Sequence, residues 1–93
     1  MPIRISPDEV RTKAGEFATE AAAVQDVITK MDSLLGALQG GWEGAASTAF
    51  ANSYLELKPG FTAARDLIEG FSKKLNSAAN VMEQTDADLA SLL

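Results

Sequence analysis

Apolar or small side chains recur along the first part of the chain at Val10, Ala14, Phe17, Ala21, Val24, Ile28, Met31, Leu35 and Leu38, in alternating steps of four and three residues. That spacing is a heptad repeat, which keeps one stripe of a helix turned toward a neighbour. A second pattern runs through Phe50, Tyr54, Leu57, Phe61, Ala64, Ile68, Phe71, Leu75, Ala78, Met82, Thr85, Leu89 and Leu92 with the same alternation. Pro59-Gly60 falls inside it and would ordinarily end a helix. The phase nevertheless passes from Leu57 to Phe61 without slipping, and Pro59 lies off the stripe. The pattern predicts one long second helix bent near residue 59, with a true break as the alternative.

The signals at the element ends agree with this division. Ser6 can cap the first helix, Pro7 suits its first position, and Asp8 and Glu9 complement the helix dipole, with Glu9 completing a capping box. Gly40 and Gly41 then supply the left-handed cap that stops it at Gln39. The expected layout is therefore a single domain over 1–93, with helix one at about 7–39, a turn at 40–44 and helix two at about 45–90. Two such rods joined by a short turn make an antiparallel hairpin of all-α class.

The stripe on helix one widens in its second half, where Val27 and Leu34 join it. A face that broad belongs in a bundle of more than two helices, and a lone hairpin would leave it in water. The simplest solution is a homodimer, two hairpins forming a four-helix bundle. Its expected core is Phe17, Val24, Val27, Ile28, Met31, Leu34, Leu35, Phe50, Leu57, Phe61, Ile68, Phe71 and Leu75. A heterodimer with a paralogue stays open, because alanine-rich seams suit either.

Composition narrows the chemistry. The chain has 93 residues and no Cys or His, so it lacks a thiolate, the usual neutral-pH base and the commonest metal ligand. Its acids are interleaved with lysines, as in Glu9 with Lys13, Asp26 with Lys30 and Glu69 with Lys73, the arrangement of solvated helix faces. No phosphate loop, nucleophile elbow or metal spacing occurs. The expectation is a protein that is not an enzyme and takes no cofactor. The net charge of −5, with basic residues clustered no further than Lys73-Lys74, argues against nucleic acid. The same acid excess argues against stable binding to anionic membranes. MPIRISPDEV has no apolar stretch of secretory-signal length, so these signals alone describe a soluble cytoplasmic protein.

One stretch does not fit a bare hairpin. In QGGWEG, residues 39–44, the only tryptophan of the chain sits among three glycines. Trp42-Glu43-Gly44, between two heptad helices in a chain just under one hundred residues, resembles the WXG (ESAT-like) family of type VII secretion substrates. The resemblance covers the whole chain. The mycobacterial tail pattern, Tyr-x-x-x-Asp/Glu after helix two, is not met, since the one tyrosine is Tyr54 and Lys58 follows it by four. Met82, Asp86, Leu89 and Leu93 instead resemble the tail of the low-GC Gram-positive, EsxA-like branch, and their spacing puts them on one helical face.

This resemblance implies a small protein made in the cytoplasm and exported, without a cleavable signal, by a type VII (Ess-type) system through its ATPase. It would act as a virulence-type effector or as a carrier of co-secreted proteins. The recognition residues would be Trp42, Gly44, Met82, Asp86, Leu89 and Leu93. Two other classes compete: a membrane-active helical protein, and a helical chaperone for a larger secreted toxin.

Overall fold

The computed structural model describes residues 5–92. Two helices account for almost all of them: α1 spans Pro7–Gly41 and α2 spans Ala45–Ser91. At 1.5 Å per residue, 35 and 47 residues make rods of about 50 Å and about 70 Å. Of the capping box expected at the start of α1, the Ser6 half forms. The Glu9 backbone N–H donates to Ser6 Oγ at 3.1 Å, and the Val10 N–H donates to the Ser6 carbonyl at 3.1 Å.

The end of α1 differs from expectation. The helix passes through Gly40 and closes on Gly41, and the Trp42 N–H reaches the Gln39 carbonyl at 3.4 Å. Among the described residues the left-handed backbone occurs at Gly44, with φ 108°, and not at Gly40 or Gly41. The chain therefore reverses after Trp42, and Gly44 serves as the N-cap of α2, its carbonyl accepting from the Thr48 N–H at 3.4 Å. Nothing lies within 4 Å of where a Gly44 Cβ would stand. Its backbone angle, not close packing, is what calls for glycine.

α2 runs unbroken through Pro59, so the heptad phase identified one helix correctly. Proline is tolerated because the segment is exposed, leaving the unpaired Leu55 carbonyl open to water, and Thr62 Oγ1 donates to the Pro59 carbonyl at 3.1 Å. Of the three predicted i,i+4 pairs, Lys73 and Glu69 stand 4.0 Å apart, whereas Lys13 pairs with Glu16 at 2.9 Å.

Contacts divide the hairpin into two units. In the turn unit, Ala21–Leu67, α1 and α2 pair antiparallel around Ile28, which is only 2% exposed, with Ala21 and Ser47 also buried. The terminal unit joins the first part of α1, to Glu20, with α2 from Ile68 onward. Its buried positions are Val10, Ala14, Ser72 and Ala79. The Ser72 hydroxyl donates to the Ala14 carbonyl at 2.6 Å, and Phe17 meets Phe71 edge-on with centroids 4.9 Å apart.

The seam inside the hairpin is thinner than the heptads imply. Apart from Gly70, the α2 positions that lose solvent are Ser47, Ala51, Tyr54, Lys58, Thr62, Arg65, Ile68, Ser72, Leu75, Ala79 and Met82. Most are small or polar. This row is rotated by about 50° from the predicted one at 3.6 residues per turn, sharing Tyr54, Ile68, Leu75 and Met82 with it. Phe50, Leu57, Phe61 and Phe71 consequently stay exposed, as do Phe17, Val27 and Leu34 on α1. Val24, Met31 and Leu35 are half-buried. Of the thirteen expected core residues, Ile28 alone is buried within one chain.

Candidate functional site

The predicted recognition residues fall in two places. Trp42 and Gly44 belong to the turn unit; Met82, Asp86 and Leu89 belong to the terminal unit, and Leu93 lies outside the described residues. At the turn, the Gly44 reversal starts α2 beneath the indole. Trp42 rests on the Phe50 ring with centroids 5.2 Å apart and planes tilted 45°. The indole is only half-buried, and Phe50 is 60% exposed. An aromatic pair held by the turn but open to water is both a staple and a surface.

At the tail, Met82 and Asp86 line an open groove of about 400 Å³. Val81 and Thr85 flank them on α2, and Ile5, Ser6 and Pro7 form the other wall. Sequence reasoning missed that second wall. Val81 lies off the predicted stripe, Pro7 is read there only as a helix start, and Ile5 has no assigned role. Leu89 is exposed one turn further on. The groove is thus apolar with a carboxylate at one edge.

Polar ties fix the two helices within each unit, and these too were not foreseen. In the terminal unit Arg11 donates to Asn80 Oδ1 at 2.8 Å and pairs with Glu83, close below the tail residues. The guanidinium holds the Glu83 carboxyl below its ordinary range, and Glu83 in turn raises Arg11. In the turn unit Asp32 accepts from the Tyr54 hydroxyl at 2.6 Å and from Lys58 Nζ at 2.9 Å. Those bonds, the phenol's first, lower the Asp32 carboxyl, and the carboxylate pushes the phenol up to about 12. Arg65 also donates to the Gln25 side-chain oxygen. Among the described residues no group of three acids gathers as a metal would need, and no helix is long and apolar enough to cross a membrane.

A half-exposed Trp-x-Gly turn between two long helices is the feature that comparison with known proteins recognises. Residues 2–87 match the family described as "Proteins of 100 residues with WXG". The chain belongs to the WXG100 family. Protein YukE of Bacillus subtilis is 36% identical over 88 residues, covering 95% of this chain and 91% of that protein. The type VII secretion system extracellular protein A of Staphylococcus aureus is 25% identical over 88 residues, covering 95% and 91%. The crystal structure of Geobacillus thermodenitrificans EsxA superposes with a TM-score of 0.81 at 37% identity, covering 97% of this chain and 98% of that one. The Geobacillus structure shares the helical hairpin with this WXG100 chain, and the Staphylococcus relative carries type VII secretion in its name.

Proposed function

We propose that this WXG100 protein is a small secreted hairpin, exported by a type VII system, that acts by binding other proteins rather than by catalysis. The observation that carries the reading is the half-exposed Trp42–Phe50 pair at a family-defining turn. Family membership supports export. The ATPase of the secretion system is the partner we assign to the exported form, with effector and carrier of co-secreted proteins as its two roles outside the cell.

The protein works as a homodimer. The support is the row of large apolar side chains left in water by a hairpin whose own seam is mostly small and polar: Val27, Leu34, Phe50, Leu57 and Phe61 in the turn unit alone. Large apolar side chains left in water in such number are covered by association. Antiparallel pairing of two α1 helices through that surface would lay the turn of one chain beside the tail of the other. Trp42 and Gly44 of one protomer would then combine with Met82, Asp86, Leu89 and Leu93 of its partner into one recognition patch, present twice per dimer.

Co-expression tests this directly. A Trp42→Ala chain and a chain lacking residues 82–93 should each fail to leave the cell alone. Paired, they still carry one complete patch, so both should appear in the medium together. Absence of rescue, with mixed dimers demonstrated inside the cell, contradicts the shared patch; export of each variant alone contradicts the recognition role of these residues.

A further inference from the structure

In α2, the two weakest helix formers stand side by side at Pro59 and Gly60, both exposed. Pro59 has no N–H to give the Leu55 carbonyl, so one rung of the helix ladder is missing. Gly60 would meet nothing within 4 Å if it carried a Cβ, so no packing contact explains the residue or stiffens the helix there. Whatever stiffens α2 across this point must come from outside its own hydrogen-bond ladder.

The part of α2 before the proline, Ala45 to Lys58, has little apolar grip on α1. Its α1-facing positions are Ser47, Ala51, Tyr54 and Lys58, while Phe50, Leu55 and Leu57 are exposed. The polar grip is concentrated in one place. Asp32 holds both Tyr54 and Lys58, residues one turn apart, and Lys58 directly precedes the proline. On the far side of the proline α2 has a separate hold, through Arg65 on Gln25.

We propose that Pro59-Gly60 is a hinge in α2 and that Asp32, gripping Tyr54 and Lys58, is the latch that keeps the turn-side arm of α2 closed on α1. Open, the arm lifts Ser47, Ala51 and Tyr54 away from α1 and carries Phe50 out of its set position. Closed, it presents the Trp42–Phe50 pair and the apolar side chains Leu57 and Phe50 in one fixed arrangement. The chain thereby has two states of the same surface, separated by the polar grip of Asp32 and the thin apolar seam at Ile28. The device stands apart from the export reading, because it is measured on the purified full-length chain with no secretion system.

The test is hydrogen exchange followed by mass spectrometry on the intact protein and on Tyr54→Phe/Lys58→Met, which keeps both side-chain bodies and removes both bonds. Exchange should rise about tenfold across residues 45–58, as loss of roughly two net hydrogen bonds allows, and stay unchanged across 64–79. Adding Pro59→Ala restores the missing rung and should return the fast segment toward its original rate. Asp32→Asn, a milder change, should reproduce the same boundary with a smaller rise. A uniform rise along the chain would mean general destabilisation and overturn the hinge. No rise would mean that other contacts, a partner chain included, hold the arm, and would overturn the latch. Failure of Pro59→Ala to slow the segment would remove the proline from the account.

Discussion

The Ser72 hydroxyl donates to the main-chain oxygen of Ala14 at 2.6 Å, with both residues buried. A side chain of one helix can reach the backbone of the other only where the residues between them are small. The carbonyl has a second lone pair free for such a bond after its helical one. This contact sets how closely the helices of the terminal unit approach. Ala14→Leu should therefore destabilise by about 1–3 kcal/mol through overpacking, and Ser72→Ala by about 1 kcal/mol through the lost bond. Thermal melts followed by far-UV circular dichroism would rank the two; equal tolerance of leucine at Ala14 and at exposed Ala18 would contradict the close seam.

Tyr54 is the only tyrosine, so its titration can be followed without interference in the ultraviolet absorbance of the phenolate. In the folded chain its pKa is pushed from 10.0 up to about 12, chiefly by the hydrogen bond to Asp32. The folded state thus holds this proton more tightly than the unfolded chain. The contribution to stability is full below pH 10 and fades as the pH rises toward 12. Asp32 behaves oppositely: its carboxyl is lowered from 3.8, so its contribution is present above that value and lost as the pH falls through the folded pKa. Asp32→Asn should return the phenol midpoint toward 10. An unchanged midpoint would mean the pair is not formed in solution.

Trp42→Ala separates signal from scaffold. The indole is half-buried against an exposed phenylalanine, so its removal should cost no more than about 1–3 kcal/mol and leave helicity nearly unchanged. Export should nevertheless fail. A variant secreted at the normal level, or one that unfolds, would make the indole structural only.

Much of this architecture was legible because it rests on local rules. Ser6 announces a side-chain cap that forms, and the unbroken phase from Leu57 to Phe61 signals that α2 continues through Pro59. What the heptads could not convey is which neighbour each apolar residue faces. A four-three alternation marks a stripe, and a stripe wide enough for two neighbours looks in sequence like one seam. Phe50 and Leu57 therefore read as partners of α1, although Ser47, Ala51 and Lys58 take that place. Polar ties such as Arg11 with Asn80 escaped for a related reason: they join residues far apart in the chain, and either one alone reads as a solvated side chain. The turn misled through glycine number. The sequence reading puts the left-handed position at Gly40 and Gly41, and only the backbone path selects Gly44.

The central claim is that the apolar side chains left exposed by one hairpin are covered by a second copy. Light scattering on the purified full-length chain at micromolar concentration tests it most directly, with Leu34→Asp as the comparison. Leu34 is 68% exposed in the single chain, so aspartate there leaves the hairpin's own core intact, whereas at Ile28, only 2% exposed, it would unfold the hairpin itself. A charge left unpaired in the dimer interface costs several kcal/mol. The account predicts twice the chain mass of 9.8 kDa for the wild type and the single-chain mass, with helicity largely retained, for Leu34→Asp. A stable, fully helical wild-type monomer at that concentration would contradict it.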